Sequence, residues 1–252
     1  MEKFNVVNGV LVSYTGNEEN VVIPSKVTII GEKAFSENLK IKTVTINEGV
    51  KEISNNAFEY CDNLSSVTLP STLKVIRAKA FLDCKNLQNV TLPKGLKELY
   101  SHAFFNTGIE EITLPSSLDI LGTLAFSGFT PIKNINVEKG NSHFVSDNGV
   151  LYNKDKTCLF MYPQGRKEGK FIVPNGVKRI SDFAFGLVSN ITIELTEGVE
   201  SIGEKTFVCP SAKDLYLPSS LKKIERDALL GYGASSYPTV YVKKNSYAEK
   251  YI

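Results

Sequence analysis

An Ala-Phe pair returns along the chain at a nearly constant interval, and this recurrence constrains the fold more than any other feature. The gaps between successive copies are 23, 23, 23, 22, 59, 22 and 22 residues. A fixed period of this length predicts a solenoid of stacked supersecondary units. The copies are Ala34-Phe35, Ala57-Phe58, Ala80-Phe81, Ala103-Phe104, Ala125-Phe126, Ala184-Phe185 and the variants Thr206-Phe207 and Ala228-Leu229.

Each repeat carries a short strand pattern followed by proline, as in Val67-Thr68-Leu69-Pro70. The alternation predicts a half-buried strand with its threonine facing outward, and proline ends the strand because it lacks a backbone donor. Successive strands are expected to form a parallel sheet, one strand per rung. The stretch Ile76 to Phe81 has no such alternation, so we expect one turn of α- or 3₁₀-helix there. The Phe residues are expected to form a buried column.

The 59-residue gap contains a second copy of the beginning of the chain. Asn8-Gly9-Val10-Leu11 returns as Asn148-Gly149-Val150-Leu151, at an offset of 140 residues. Asn-Gly suits a tight turn, and the apolar runs 150–152 and 158–162 flank a polar tip, so we expect an inserted β-hairpin. Near the end, Val240-Tyr241-Val242 predicts a last strand, and Ser246 is expected to cap a closing helix.

These patterns predict a single domain over residues 1–252. Its parts are an N-terminal cap with rungs one to five (1–137), the hairpin insert (138–170), rungs six to eight (171–245) and the closing helix (246–252).

The repeat resembles the BspA-type (Treponema-pallidum-type) leucine-rich repeat. The resemblance rests on Cys61 or Cys84 three residues after Phe, on Asn63-Leu64 or Asn86-Leu87 closing the unit, and on the proline after the strand. It implies an α/β repeat solenoid, a right-handed β/α superhelix of about eight rungs of 22–23 residues. It also implies a surface or secreted protein of a host-associated microbe that binds other proteins and has no catalytic residues.

Composition argues against several other classes. The formal net charge is +2, so no overall field favours nucleic acid. The sequence contains no run of 18 apolar residues that would predict a membrane span, and no apolar signal segment follows Met1. His102 and His143 lack partners at metal-ligand spacing, and no phosphate or dinucleotide motif is present. We therefore expect no catalytic residue, cofactor or metal.

The cysteines leave two possibilities open. Cys61 and Cys84 share one repeat position, and Cys209 lies close to the same position. Neighbouring rungs are about 5 Å apart, which permits a disulfide. Buried free thiols acting as small hydrophobic groups are the favoured interpretation.

The middle residue of each strand should form an outward column, and its character changes along the chain. Threonine dominates the first half, whereas the second half contains Ile172, Glu194, Tyr216 and Tyr241. Exposed aromatic groups often anchor a partner, so these four residues are the candidate ligand-contact face. Packing beneath the terminal segment is the competing interpretation.

Three functions are compatible with this column. The first is a non-catalytic protein-binding module, secreted or at the cell surface, that adheres to a host surface or matrix protein. The second is a carbohydrate-binding surface module in which Tyr216 and Tyr241 stack on sugar rings. The third is an intracellular protein-interaction scaffold in the cytoplasm, which the Met1 start and the free-thiol interpretation favour.

Overall fold

The computed structural model describes residues 3–128, 131–208, 212–229 and 238–252. The chain divides into two compact units: Met1–Ile132 with Val137–Ser142, and Lys133–Asn136 with His143–Ile252. Each unit is a β-solenoid built from very short strands. The single-domain organisation and its four segments stay a prediction.

The first unit begins with an antiparallel hairpin, β1 paired with β2, and continues as parallel coils. Its larger sheet has the order β1-β2-β4-β6-β8-β10-β12, and a second sheet has the order β3-β5-β7-β9. The strands are β1 (Phe4–Val7), β2 (Val10–Tyr14), β3 (Asn20–Val22), β4 (Ile29–Ile30), β5 (Thr43–Thr45), β6 (Glu52–Ile53), β7 (Ser66–Thr68), β8 (Val75–Ile76), β9 (Asn89–Val90), β10 (Glu98–Leu99), β11 (Glu111–Leu114) and β12 (Ile120–Leu121).

The second unit repeats this plan. One sheet has the order β14-β15-β16-β18-β20-β22, and the other has the order β17-β19-β21-β23. The elements are β13 (Asn134–Val137, of which Val137 belongs to the first unit), β14 (Phe144–Asp147), β15 (Val150–Asn153), β16 (Cys158–Met161), β17 (Lys170–Ile172), β18 (Arg179–Ile180), β19 (Thr192–Glu194), β20 (Ser201–Ile202), β21 (Asp214–Tyr216), β22 (Lys223–Ile224), β23 (Thr239–Tyr241) and helix α1 (Tyr247–Tyr251).

The predicted hairpin is present as the antiparallel pair β15–β16, and the Asn148-Gly149 turn joins β14 to β15 in a further hairpin. The closing helix is also present. Ser246 caps it by accepting a hydrogen bond from the Glu249 backbone N–H at 3.2 Å.

The described residues form about ten coils, not the eight that were expected. Each hairpin contributes one coil that carries no Ala-Phe pair, and a tyrosine takes the place of phenylalanine there. The Tyr14 N–H donates to Ala34 O at 2.9 Å, and the Tyr162 N–H donates to Ala184 O at 2.8 Å. The Phe35 N–H makes the same bond to Ala57 O at 2.8 Å. Counting Ala-Phe pairs therefore missed both coils.

The Ala-Phe segments are turns, so the helix expected over Ile76 to Phe81 is wrong and a β/α superhelix is not confirmed. Alternate N–H groups donate in different directions: Ala80 N–H bonds back to Arg77 O at 3.4 Å, whereas Phe81 N–H bonds across to Ala103 O at 2.8 Å. Left-handed φ values of 59° at Lys79 and 58° at Asp83 produce this alternation. A helix cannot send every second donor to its neighbour, because each N–H would bond within the segment.

The core is the predicted aromatic column, and it is confirmed in both units. The rings of Phe35, Phe58, Phe81, Phe104 and Phe126 stack with centroid separations of 4.8, 5.0, 5.0 and 5.6 Å. Phe185 and Phe207 are 5.4 Å apart. Such separations are typical of favourable aromatic pairs, so each coil is stabilised by its neighbours.

The thiols beside this column are free. Cys61 Sγ donates to Phe35 O and Cys84 Sγ donates to Phe58 O, each at 3.0 Å. Burial, followed by the interaction with Cys61, raises the pKa of Cys84 well above its ordinary value. Both cysteines therefore behave as small buried groups. Cys209 lies outside the described residues.

Candidate ligand-contact face

The four predicted contact residues lie side by side on one sheet of the second unit. In β17, β19, β21 and β23 the register aligns Ile172 with Glu194, Tyr216 and Tyr241. The strands begin and end one residue earlier than the sequence pattern predicted, so the four residues are the last of their strands and not the middle ones. The middle residues point the other way, and Ile193 and Leu215 are buried. The strand period of two thus explains why this column faces outward. We call Ile172, Glu194, Tyr216 and Tyr241 the contact face.

Three of these side chains are apolar or aromatic and open to solvent. Ile172 is 50% exposed, Tyr216 38% and Tyr241 44%, whereas Glu194 is partly buried. The closing helix does not cover them: its Ala248 belongs to the core, and its Tyr251 hydroxyl donates to Glu225 O at 2.9 Å, next to β22 of the other sheet. The described terminal segment therefore leaves the contact face accessible.

The two tyrosines are organised before any ligand arrives. Their ring centroids are 4.4 Å apart and their planes differ by 7°. Burial raises the pKa of Tyr216, with smaller contributions from Tyr241 and Asp214. The phenol therefore stays neutral at physiological pH and presents an apolar ring with a polar tip.

A second outward column lies two residues earlier on each strand, and sequence reasoning missed it. It aligns Lys170, Thr192, Asp214 and Thr239. Lys170 Nζ lies 2.7 Å from Glu194, and the Thr192 hydroxyl donates to Asp214 at 3.3 Å. The same period of two could have predicted these positions. Their pairing keeps the charge of the face nearly balanced.

The equivalent column of the first unit has a different chemistry. Val22, Thr45 and Thr68 are in register, and Val22 is 59% exposed. Thr91 follows in the next coil and is also exposed. Threonine suits a strand surface without any ligand, so this column gives no independent signal of binding.

Within the described ranges, no group of three or more His, Cys, Asp or Glu residues could hold a metal ion. Neither is there a helix there of the length and apolarity needed to span a membrane. His102 packs on Phe105 with ring centroids 5.2 Å apart, and burial lowers its pKa.

Parallel coils of 22–23 residues, each adding a core aromatic and an outward strand residue, define a repeat protein of the leucine-rich-repeat class. The chain belongs to the BspA-type leucine-rich repeat family, whose repeat region matches in six copies over residues 11–146 and 165–245.

Solved structures of related proteins are similar to this chain. The pneumococcal vaccine antigen PcpA is 25% identical, with a TM-score of 0.72 over 93% of this chain and 71% of that protein. A leucine-rich cell surface protein from Faecalibacterium prausnitzii is 26% identical, with a TM-score of 0.53 over 86% and 74%. The leucine-rich repeat protein of T. pallidum is 23% identical, with a TM-score of 0.52 over 79% of each chain. A comparison with curated proteins gave no match.

Proposed function

We propose that this chain is a non-catalytic, protein-binding solenoid that engages its ligand through the contact face. The observation that carries the proposal is the exposed, mutually stacked pair Tyr216 and Tyr241 in register with Ile172. Aromatic side chains held in one orientation lose little entropy on binding and are common anchors of protein interfaces. The Lys170–Glu194 pair adds polar contacts without a large net charge.

We further propose a secreted or cell-surface location and a role in adhesion to a host surface or matrix protein. Support comes from the similar proteins, of which one is a pneumococcal vaccine antigen and another a leucine-rich cell surface protein. The intracellular scaffold is the competing function. Antibody labelling of intact and of permeabilised native cells separates the two, because only a surface protein is labelled before permeabilisation.

Binding to a panel of purified extracellular-matrix proteins, measured by biolayer interferometry, tests the contact face. The double variant Tyr216→Ser/Tyr241→Ser should weaken any specific binding by roughly 30-fold, equivalent to about 2 kcal/mol for a central anchor. Tyr60→Ser is the matched control, because Tyr60 is 43% exposed on an Ala-Phe turn of the first unit. Unchanged binding by the double variant, with an unchanged melting temperature, contradicts the proposal.

A carbohydrate ligand on the same tyrosines is the second candidate, favoured by their exposure. Each ring covers one face of the other, so only the outer faces remain for stacking on a sugar. This geometry suits a single sugar at either end better than a chain lying across both rings. A glycan array probed with the parent protein and the double serine variant distinguishes this function from protein binding.

A further inference from the structure

In the first unit, the pairing between β7 and β9 is one residue shorter than the pairings between β3 and β5 and between β5 and β7. Ile23 N–H donates to Thr45 O at 2.9 Å, and Ile46 N–H donates to Thr68 O at 3.0 Å. The equivalent bond in the next coil would join Leu69 N–H to Thr91 O. Among residues 3–128 of the structure, neither of these two groups has a backbone partner.

The separation of the strands exposes part of the core at this point. Val44 and Val67 are 1% and 4% exposed, whereas Val90, at the same register in β9, is only partly buried. An open groove of about 720 Å³ lies there. Its polar lining includes Ser66, Thr68, Asn89, Thr91, Glu48 and Lys94, and Val67, Leu69, Val90 and Pro93 add apolar surface. We call it the polar groove.

The unpaired Leu69 N–H and Thr91 O determine which ligand chemistry fits. One group donates and the other accepts, so a hydroxyl can bridge them by accepting from the first and donating to the second. The surrounding Ser, Thr and Asn side chains offer further hydrogen bonds of both kinds. The partly exposed Val90 supplies an apolar patch for C–H groups. A sugar suits this site, because its hydroxyls can form the hydrogen bonds and the C–H groups of its ring can pack on Val90.

Two charged side chains line the polar groove, the cation Lys94 and the carboxylate Glu48. Glu48 is already engaged: its carboxylate accepts from the Ser71 N–H and hydroxyl, each at 2.9 Å, and from the Thr72 N–H at 3.2 Å. Lys94 is exposed and forms no ion pair with any described residue of its unit. Glu48 keeps its negative charge, but Ser71 and Thr72 already occupy its oxygens. Lys94 is therefore the charged group available to a ligand, and it favours a ligand that carries a carboxylate.

We propose that the polar groove binds an acidic oligosaccharide, with a sugar hydroxyl between Leu69 N–H and Thr91 O and a sugar carboxylate at Lys94. This site lies in the first unit and is distinct from the contact face. Uronates and sialates share the required chemistry, a carboxylate on a polyhydroxylated ring.

A glycan array displaying uronate- and sialate-terminated oligosaccharides beside their neutral counterparts tests the proposal and identifies which source binds. Affinities for trigalacturonate and for one sialyl trisaccharide are then measured by calorimetry. Asn89→Trp should fill the polar groove and reduce affinity at least tenfold. Asn20→Trp is its control, because Asn20 occupies the same outward column three coils away.

Lys94→Gln should abolish the preference for acidic over neutral glycans. Lys26→Gln is its control and should retain the preference, because Lys26 is an exposed lysine two residues after Pro24.

Hydrogen exchange of the Leu69 amide should slow when the glycan binds. The Tyr216→Ser/Tyr241→Ser variant should bind glycan normally, which separates this site from the contact face. Absence of acidic glycan binding, or binding that survives Asn89→Trp in a folded protein, overturns the proposal.

Discussion

Tyr216 and Tyr241 lie face to face across the adjacent strands β21 and β23, with ring centroids 4.4 Å apart. The next two paired residues of the same register are Glu194 and Ile172, so the column changes from aromatic to charged to aliphatic within four coils. A partner that binds the contact face must therefore contact an aromatic, a charged and an aliphatic surface in a fixed order. That requirement favours specific recognition over non-specific association.

The tyrosine pair should show measurable coupling. In a double-mutant cycle with Tyr216→Ala and Tyr241→Ala, we expect the rings to stabilise each other by about 0.5 to 1 kcal/mol. Urea unfolding of the four proteins measures this coupling. Tyr60→Ala combined with Tyr241→Ala is the control, because these two side chains belong to different units. Additive losses for the stacked pair would show that the rings do not interact in solution.

The aromatic column should dominate stability. Phe81 is fully buried, and its ring stacks at 5.0 Å on both Phe58 and Phe104. Phe81→Ala should lower the free energy of unfolding by about 3 to 5 kcal/mol, because it leaves a cavity between two coils. Leu39→Ala, at a side chain that is 56% exposed, should change it by less than about 0.5 kcal/mol. Similar effects of the two substitutions in urea unfolding would contradict the core assignment.

Much of this fold follows from periodicity, because each coil must bury the same residues against its neighbours. The outward position of Tyr216 and Tyr241 follows equally from the strand period of two. Left-handed φ values at Lys79 and Asp83 could not be read from residue type, so the turns were mistaken for helix. The two additional coils were missed because Tyr14 and Tyr162 replace the Ala-Phe signal. The polar groove depends on one absent hydrogen bond between Leu69 and Thr91, which no sequence pattern reports.

Acid should weaken the turns that glutamates hold between coils. Hydrogen bonds from Ser71 and Thr72 lower the pKa of Glu48 from 4.5, and bonds from Ser219 and Ser220 lower the pKa of Glu197. A lowered folded-state pKa means that the stabilisation is complete above the ordinary pKa and is lost as the pH falls through the lowered value. Melting temperatures measured from pH 7 to pH 2 should therefore decrease once the pH is below about 4.5.

The variant Glu48→Gln should reduce this dependence on pH, since its amide does not titrate. Glu32→Gln, at an exposed acid of the same unit, is the control and should leave the profile of the parent protein almost unchanged. Identical pH profiles for the parent and Glu48→Gln would show that the Glu48 carboxylate does not stabilise the turn at Ser71.

The alternating turns should tolerate glycine and reject β-branched residues at their left-handed positions. Lys79 has φ 59°, and it directly precedes the Ala80-Phe81 pair. Lys79→Val should lower the free energy of unfolding by about 1 to 2 kcal/mol, because a branched Cβ collides with the backbone at positive φ. Lys79→Gly should cost almost nothing, since relief of this strain offsets the greater flexibility of the unfolded chain. Lys74→Val, an exposed lysine of the same coil without positive φ, separates backbone strain from loss of charge. If Lys74→Val and Lys79→Val destabilise the protein equally in urea, the left-handed turns do not control the path of the chain between coils.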